Sequence, residues 1–170
     1  VDVGAVMLTG AGGAFCAGGD VKGMNARNSG EVSSPANLES AVDDLRARQR
    51  SVSAALHSFP KVTVAAVDGA AAGAGLSIAL ACDLRVASSR AIFTTAFAKV
   101  GFSGDFGGSW FLTQLVGAAK ARELYLTADR FDADTALSLQ IVNKVFDVDG
   151  FESAAVSYVT RFAEGPLVAQ

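Results

Sequence analysis

Two glycine-rich turns and one aspartate are the residues of this chain best suited to chemistry. The turns are Phe15-Cys16-Ala17-Gly18-Gly19-Asp20 and Gly69-Ala70-Ala71-Ala72-Gly73-Ala74-Gly75, each following a short apolar run. With almost no side chains in the way, their backbone N–H groups can approach a ligand closely. Two such turns facing one another would aim two donors at one oxygen, the arrangement that holds negative charge developing on a carbonyl. The aspartate is Asp105, set in Gly101-Phe102-Ser103-Gly104-Asp105-Phe106-Gly107-Gly108-Ser109-Trp110 among aromatics and glycines. Two readings of it stay open: an N-cap for a helix beginning at Phe106, or a general acid/base whose pKa an apolar pocket raises. The pattern as a whole points to an enzyme of carbonyl chemistry.

Other constellations carry less. Residues 9–15 invite comparison with the dinucleotide fingerprint G-x-G-x-x-G. Phe15 stands where the third glycine belongs and no helical pattern follows, so the segment reads as a turn. Gly75-Leu76-Ser77-Ile78-Ala79 half-matches a nucleophile elbow. The lone histidine, His57, lies near a helix end, so Ser77 reads as a hydroxyl bonded back to a carbonyl one turn earlier. Cys16 has only Lys22 as a cation nearby and reads as a small buried hydrophobe; with Cys82 it makes two reduced thiols rather than a disulfide framework. Arg46, Arg48 and Arg50 read as a solvated helix face paired with neighbouring acids. There is no CxxC or HxxxH spacing, so no metal is expected.

The elements that must position these residues follow from composition and periodicity. A chain of 170 residues with 51% hydrophobic content suits one domain with a sizeable core. Lys and Arg number 14 against 17 Asp and Glu, a net charge of -3, which speaks against nucleic acid as partner. The longest apolar run, 69–82, is too short and glycine-rich to span a bilayer, and Val1-Asp2-Val3-Gly4 lacks the regions of a signal peptide. A soluble, cytoplasmic protein without a membrane partner is expected. Strands are predicted at 3–8, 62–67, 84–87, 91–93 and 141–146. Helices are predicted at 38–59, 76–82, 106–116, 118–127, 132–139 and from about 151. The first helix carries Leu38, Val42, Leu45, Val52, Leu56 and Phe59 on one stripe, and residues 25–37 read as a surface loop. Alternating strands and helices give the α/β class.

The stretches FCAGGDVKGM (15–24), KVTVAAVDGAAAGAGLSIALACDLRVAS (61–88) and FTTAFAKVGFSGDFGGSWFLTQLVGAAKARELYLTADRFDADTALSLQIVNKVF (93–146) resemble the enoyl-CoA hydratase/isomerase (crotonase) superfamily. The resemblance implies a crotonase-like spiral of β-β-α repeats, assembled as homotrimers or dimers of trimers. It implies an acyl-CoA thioester as substrate, with coenzyme A entering only as part of that substrate and no other cofactor. Members of the family are longer at both ends, so residues 1–170 are expected to form one core domain lacking N-terminal strands and C-terminal helices. Matched residue by residue, Gly19 and Ala74 take the two oxyanion-hole positions. Ala17, Gly18, Gly19, Asp20 and Val21 fall at the coenzyme A site, and Ala70, Gly73, Phe97, Gly101 and Phe102 complete the expected substrate contacts. The two glutamates of the family's hydratases match Ser77 and Phe97 here, and neither transfers a proton as a glutamate does. Asp105 matches the position at which some isomerases and a dehalogenase carry their catalytic aspartate. One carboxylate suits a proton shuttle, and Phe93, Phe97, Phe102, Phe106 and Trp110 are expected to keep the pocket dry. The expectation is therefore an isomerase. A hydratase adding water to a 2-enoyl-CoA is the alternative, and a non-catalytic acyl-CoA-binding scaffold is the alternative of another class.

Overall fold

The structure, a computed structural model, describes residues 3–19 and 38–165. Strand β1 (Ala5–Thr9) opens it, and helix α1 (Leu38–Gln49) continues through a π-helical stretch, Arg50–Ala54, into a last α turn, Ala55–His57. Then come β2 (Val62–Val67), β3 (Ala70–Ala72), α2 (Ala74–Ala81), β4 (Leu84–Ser88) and β5 (Ile92–Thr94). A 3-10 turn, Phe97–Val100, leads to α3 (Gly108–Thr127), β6 (Phe131–Asp132), α4 (Ala133–Ser138), β7 (Lys144–Phe146) and α5 (Phe151–Ala163). One sheet runs β1-β2-β4-β7, all parallel; the other runs β3-β5-β6, with β3 and β5 parallel and β6 antiparallel. Each of the successive turns β2-β3-α2 and β4-β5-α3 lays one strand in each sheet before its helix. This is the β-β-α spiral.

Burial explains why β2 is apolar at nearly every position: both of its faces are covered. Ala65 and Val67 face one core with Leu76, Leu80, Phe93, Leu112 and Ile141, while Val64 and Ala66 face a second with Val86, Phe151, Ala155 and Val159 of α5. Helix α2 has no polar side because it sits inside the first core, with even Ser77 only 1% exposed. Arg85 is buried too, and its guanidinium donates to the carbonyls of Ile141 (2.6 Å), Cys82 (2.7 Å), Asp83 (3.4 Å) and Leu80 (3.5 Å), which ties the end of α2 to the segment before β7.

Several boundaries differ from the sequence expectation. The 62–67 strand stands where predicted, whereas the 141–146 strand shrinks to Lys144–Phe146. The 106–116 and 118–127 helices form one helix broken by Gly117 (φ 76, ψ 163) and begin at Gly108, because Gly107 in a left-handed conformation starts it. The α1 stripe is only partly covered among the described residues: Leu56 packs on the core, but Val42, Leu45 and Phe59 are exposed. The π-helical stretch turns Ser53 inward, which no helical-wheel argument foresees. Strands β3 and β6, three and two residues long, carry too little pattern to be read in sequence. The 25–37 loop lies outside the described residues.

Candidate active site

The two glycine turns are strapped together. The N–H groups of Phe15 and Cys16 both donate to Ala70 O at 3.0 Å, Ala72 N–H donates to Cys16 O at 3.0 Å, and Cys16 bridges Ala71 as an extra parallel strand position. Small residues permit this approach. Gly18 has φ +95, and a Cβ there would stand 2.8 Å from Ala72 O, while a Cβ on Gly75 would run into the Cys16 carbonyl. Gly73 (φ 52, ψ -122) takes a conformation that favours glycine and fixes the orientation of the peptide joining it to Ala74. Its own N–H, in the preceding Ala72–Gly73 peptide, donates to Thr94 O at 3.0 Å, which anchors the turn to β5 just before the Gly73–Ala74 peptide. Ala74 begins α2, at the positive end of the helix dipole. Among the described residues, no turn or loop backbone hydrogen bond uses the Gly19 or the Ala74 N–H.

A cavity of about 380 Å³ opens against these turns, with Ala17, Gly18, Gly19, Gly73 and Ala74 in its wall. Ala96, Phe97, Val100, Phe102, Ser103, Gly104 and Asp105 complete the lining together with Leu45 of α1. Asp105 is the one carboxylate in that wall among the described residues. Its neighbour Phe106 has φ +49, rare for a bulky residue, and Gly107 rather than Asp105 is the residue before α3. The cap reading of Asp105 is thereby overturned. Oδ1 of Asp105 is buried without a partner among the described residues, and burial raises its pKa above the usual carboxylate value.

Of the expected contacts, Asp20 and Val21 lie outside the described residues. Neither Ala70 nor Gly101 lines the cavity; the Ala70 carbonyl is instead the acceptor that holds the first turn. The aromatic expectation needs correction. Phe97 and Phe102 line the cavity; Phe93 stacks on Phe131 in the core, 5.6 Å between ring centres, and Phe106 is not in the wall. Trp110 is 54% exposed and meets His57 and Phe111 on another face. Leu45, Ala96, Val100, Ser103 and Gly104 were missed; only Leu45, on its apolar stripe, left a sequence signal. Ser77 is buried beneath the turn, its Oγ donating to Gly73 O at 3.3 Å as expected. Cys16 and Cys82 are free, and burial pushes the Cys82 thiol up to about 11. Arg46 pairs with Asp43 at 3.3 Å on the solvated side of α1. Among the described residues no helix is long and apolar enough to cross a membrane.

Comparison with known proteins places this arrangement. A family model described as enoyl-CoA hydratase/isomerase matches residues 1–170. A "Probable enoyl-CoA hydratase" of Rhodobacter capsulatus is 37% identical over 97% of this chain and 60% of its own length. The 4-chlorobenzoyl coenzyme A dehalogenase-1 of an Arthrobacter species is 34% identical over 96% of this chain and 57% of its own, and relatives named as isomerases fall at similar identity. A Thermobifida fusca protein solved in complex with CoA superposes with a TM-score of 0.86 at 30% identity, covering 97% of this chain and 63% of that one. The chain thus spans less than two thirds of the length of these relatives. With a match along every residue and the same spiral of strands and helices, it belongs to the enoyl-CoA hydratase/isomerase family.

Proposed function

We propose that this protein acts on an acyl-CoA thioester and moves a proton within it, shifting a double bond between the 3 and 2 positions. The Asp105 carboxylate takes a proton from C2 of a 3-enoyl-CoA, and the electron pair passes into the thioester. The N–H groups of Gly19 and Ala74 hold the resulting enolate oxygen, and Asp105 returns the proton to C4. Removing one donor of such a pair typically raises the barrier by about 2.7–4 kcal/mol. Ala17, Gly18 and Gly19, with Asp20 and Val21, carry the coenzyme A arm. Proton and double bond relocate without net oxidation, so the reaction as written needs no metal or redox group. Assembly as a trimer or a dimer of trimers belongs to the same proposal, and sedimentation tests it.

One observation carries the reading: a buried, unpartnered carboxylate oxygen in the wall of the cavity that both glycine turns line. Hydration of a 2-enoyl-CoA is the second reading, favoured by the names of relatives such as the Rhodobacter protein. Incubation with 2-enoyl-CoA and 3-enoyl-CoA in heavy-oxygen water separates the two. Isomer without label is expected; label in the product would reject isomerisation.

A further inference from the structure

The Gly73–Ala74 peptide is gripped from behind. Gly73 O accepts from Ser77 N–H at 3.0 Å and from Ser77 Oγ at 3.3 Å, which uses both of its lone pairs. A serine bonding back to the carbonyl four residues earlier is common in helices; here that carbonyl belongs to the peptide whose N–H lies at the cavity. A second hydroxyl stands behind the first. A Cβ built on Gly108 would lie 2.6 Å from Tyr125 OH and would collide with Ser77 Oγ, so both oxygens crowd the same glycine. The Tyr125 ring lies parallel to Phe97 of the cavity wall, 6.1 Å between centres. Burial pushes the Tyr125 hydroxyl up to about 12, so it keeps its proton at neutral pH.

A peptide is polarised as a unit: donors on its carbonyl oxygen strengthen its N–H, and linked bonds reinforce one another by roughly 10–30% each. We propose that Ser77, backed by Tyr125, is a positioning residue that polarises the Gly73–Ala74 peptide and sets how strongly Ala74 N–H holds the substrate's thioester oxygen. The proposal rests on Ala74 being that donor. It gives two hydroxyls a part in the reaction without contact with the substrate, and it explains why Gly108 can carry no side chain.

The test is infrared difference spectroscopy of bound hexanoyl-CoA labelled with carbon-13 at the thioester carbonyl, run beside turnover of a 3-enoyl-CoA. On the unmodified protein the carbonyl stretch is expected to fall in frequency. In Ser77→Ala and Tyr125→Phe the fall should be smaller. For Ser77→Ala, kcat should drop by about fivefold, the effect of one hydrogen bond of ordinary net strength, with KM unchanged. The double variant should be no slower than Ser77→Ala. If the unmodified protein produces no shift, the donor assignment itself fails. If it does, and both variants shift the band equally, the polarising role is overturned while the assignment stands. Should Ser77→Ala fail to fold, Tyr125→Phe, which removes one oxygen and no packing, decides alone.

Discussion

Asp105 is held by its surroundings in a way that works against stability, and this yields a signed prediction. Burial raises its pKa above the unfolded carboxylate value near 3.9. The favourable contribution is full below the unfolded value and is lost as pH rises through the raised folded value. Above that, the ionised side chain is held at a cost. Asp105→Asn, neutral throughout, should melt at a higher temperature than the unmodified protein at neutral pH, and the gain should vanish in acid. Turnover should fall by about 10²–10⁴-fold, the usual reach of a positioned acid/base. Undiminished turnover would make Asp105 structural, and a protein inactive on every thioester would favour the scaffold reading. For the unmodified enzyme, kcat/KM should decline as pH falls through a value raised above that of an unburied aspartate, since the base must be ionised; a plateau down to the unfolded value would contradict this. Sequence brought this residue forward but left cap and acid/base level. What separates them is backbone at Phe106 and Gly107, left-handed at both, and the phenylalanine gives no hint of it.

At the scale of elements, α2 and the first glycine turn share one surface. Alanine normally favours a helix over glycine, yet Gly75→Ala would drive a methyl into the Cys16 carbonyl. Overpacking of this kind costs about 1–3 kcal/mol, and the two turns must part to relieve it, so acyl-CoA binding should weaken along with stability. Gly117→Ala supplies the contrast. Its Cβ meets nothing within 4 Å, but its backbone, φ 76 and ψ 163, is strained for alanine by roughly 1–3 kcal/mol. Denaturation should report a loss in both variants, and binding a loss only in the first; equal binding would break the proposed link. Long apolar segments such as β2 announce themselves in sequence. An all-alanine strand of three residues, or a helix that slips into π geometry, offers no period to read.

For the molecule as a whole, Arg85 is the joint between α2 and the strand layer. Its fork is spent on carbonyls and no carboxylate is bonded to it among the described residues. Arg85→Met would leave the Ile141 and Cys82 carbonyls without donors, at about 1–3 kcal/mol each. Arg85→Lys cannot restore the fork. Both should lower the urea midpoint, methionine the more; an unchanged midpoint would show that water satisfies those carbonyls. Class and core were legible from periodicity, but the winding of strands between two sheets was not. It rests on pairings distant in the chain, and only the likeness of whole stretches to a known family pointed to it.

Those distant pairings give the strapped turns one more meaning. Cys16 and the Ala70–Ala72 strand meet only after a long intervening loop has been closed, and closing it has an entropic cost that local structure cannot offset. No half-folded chain owns a receptacle for the thioester. Uptake of ligand is thus a property of the finished architecture, and it works as a gauge of nativeness at the same time as a step toward reaction.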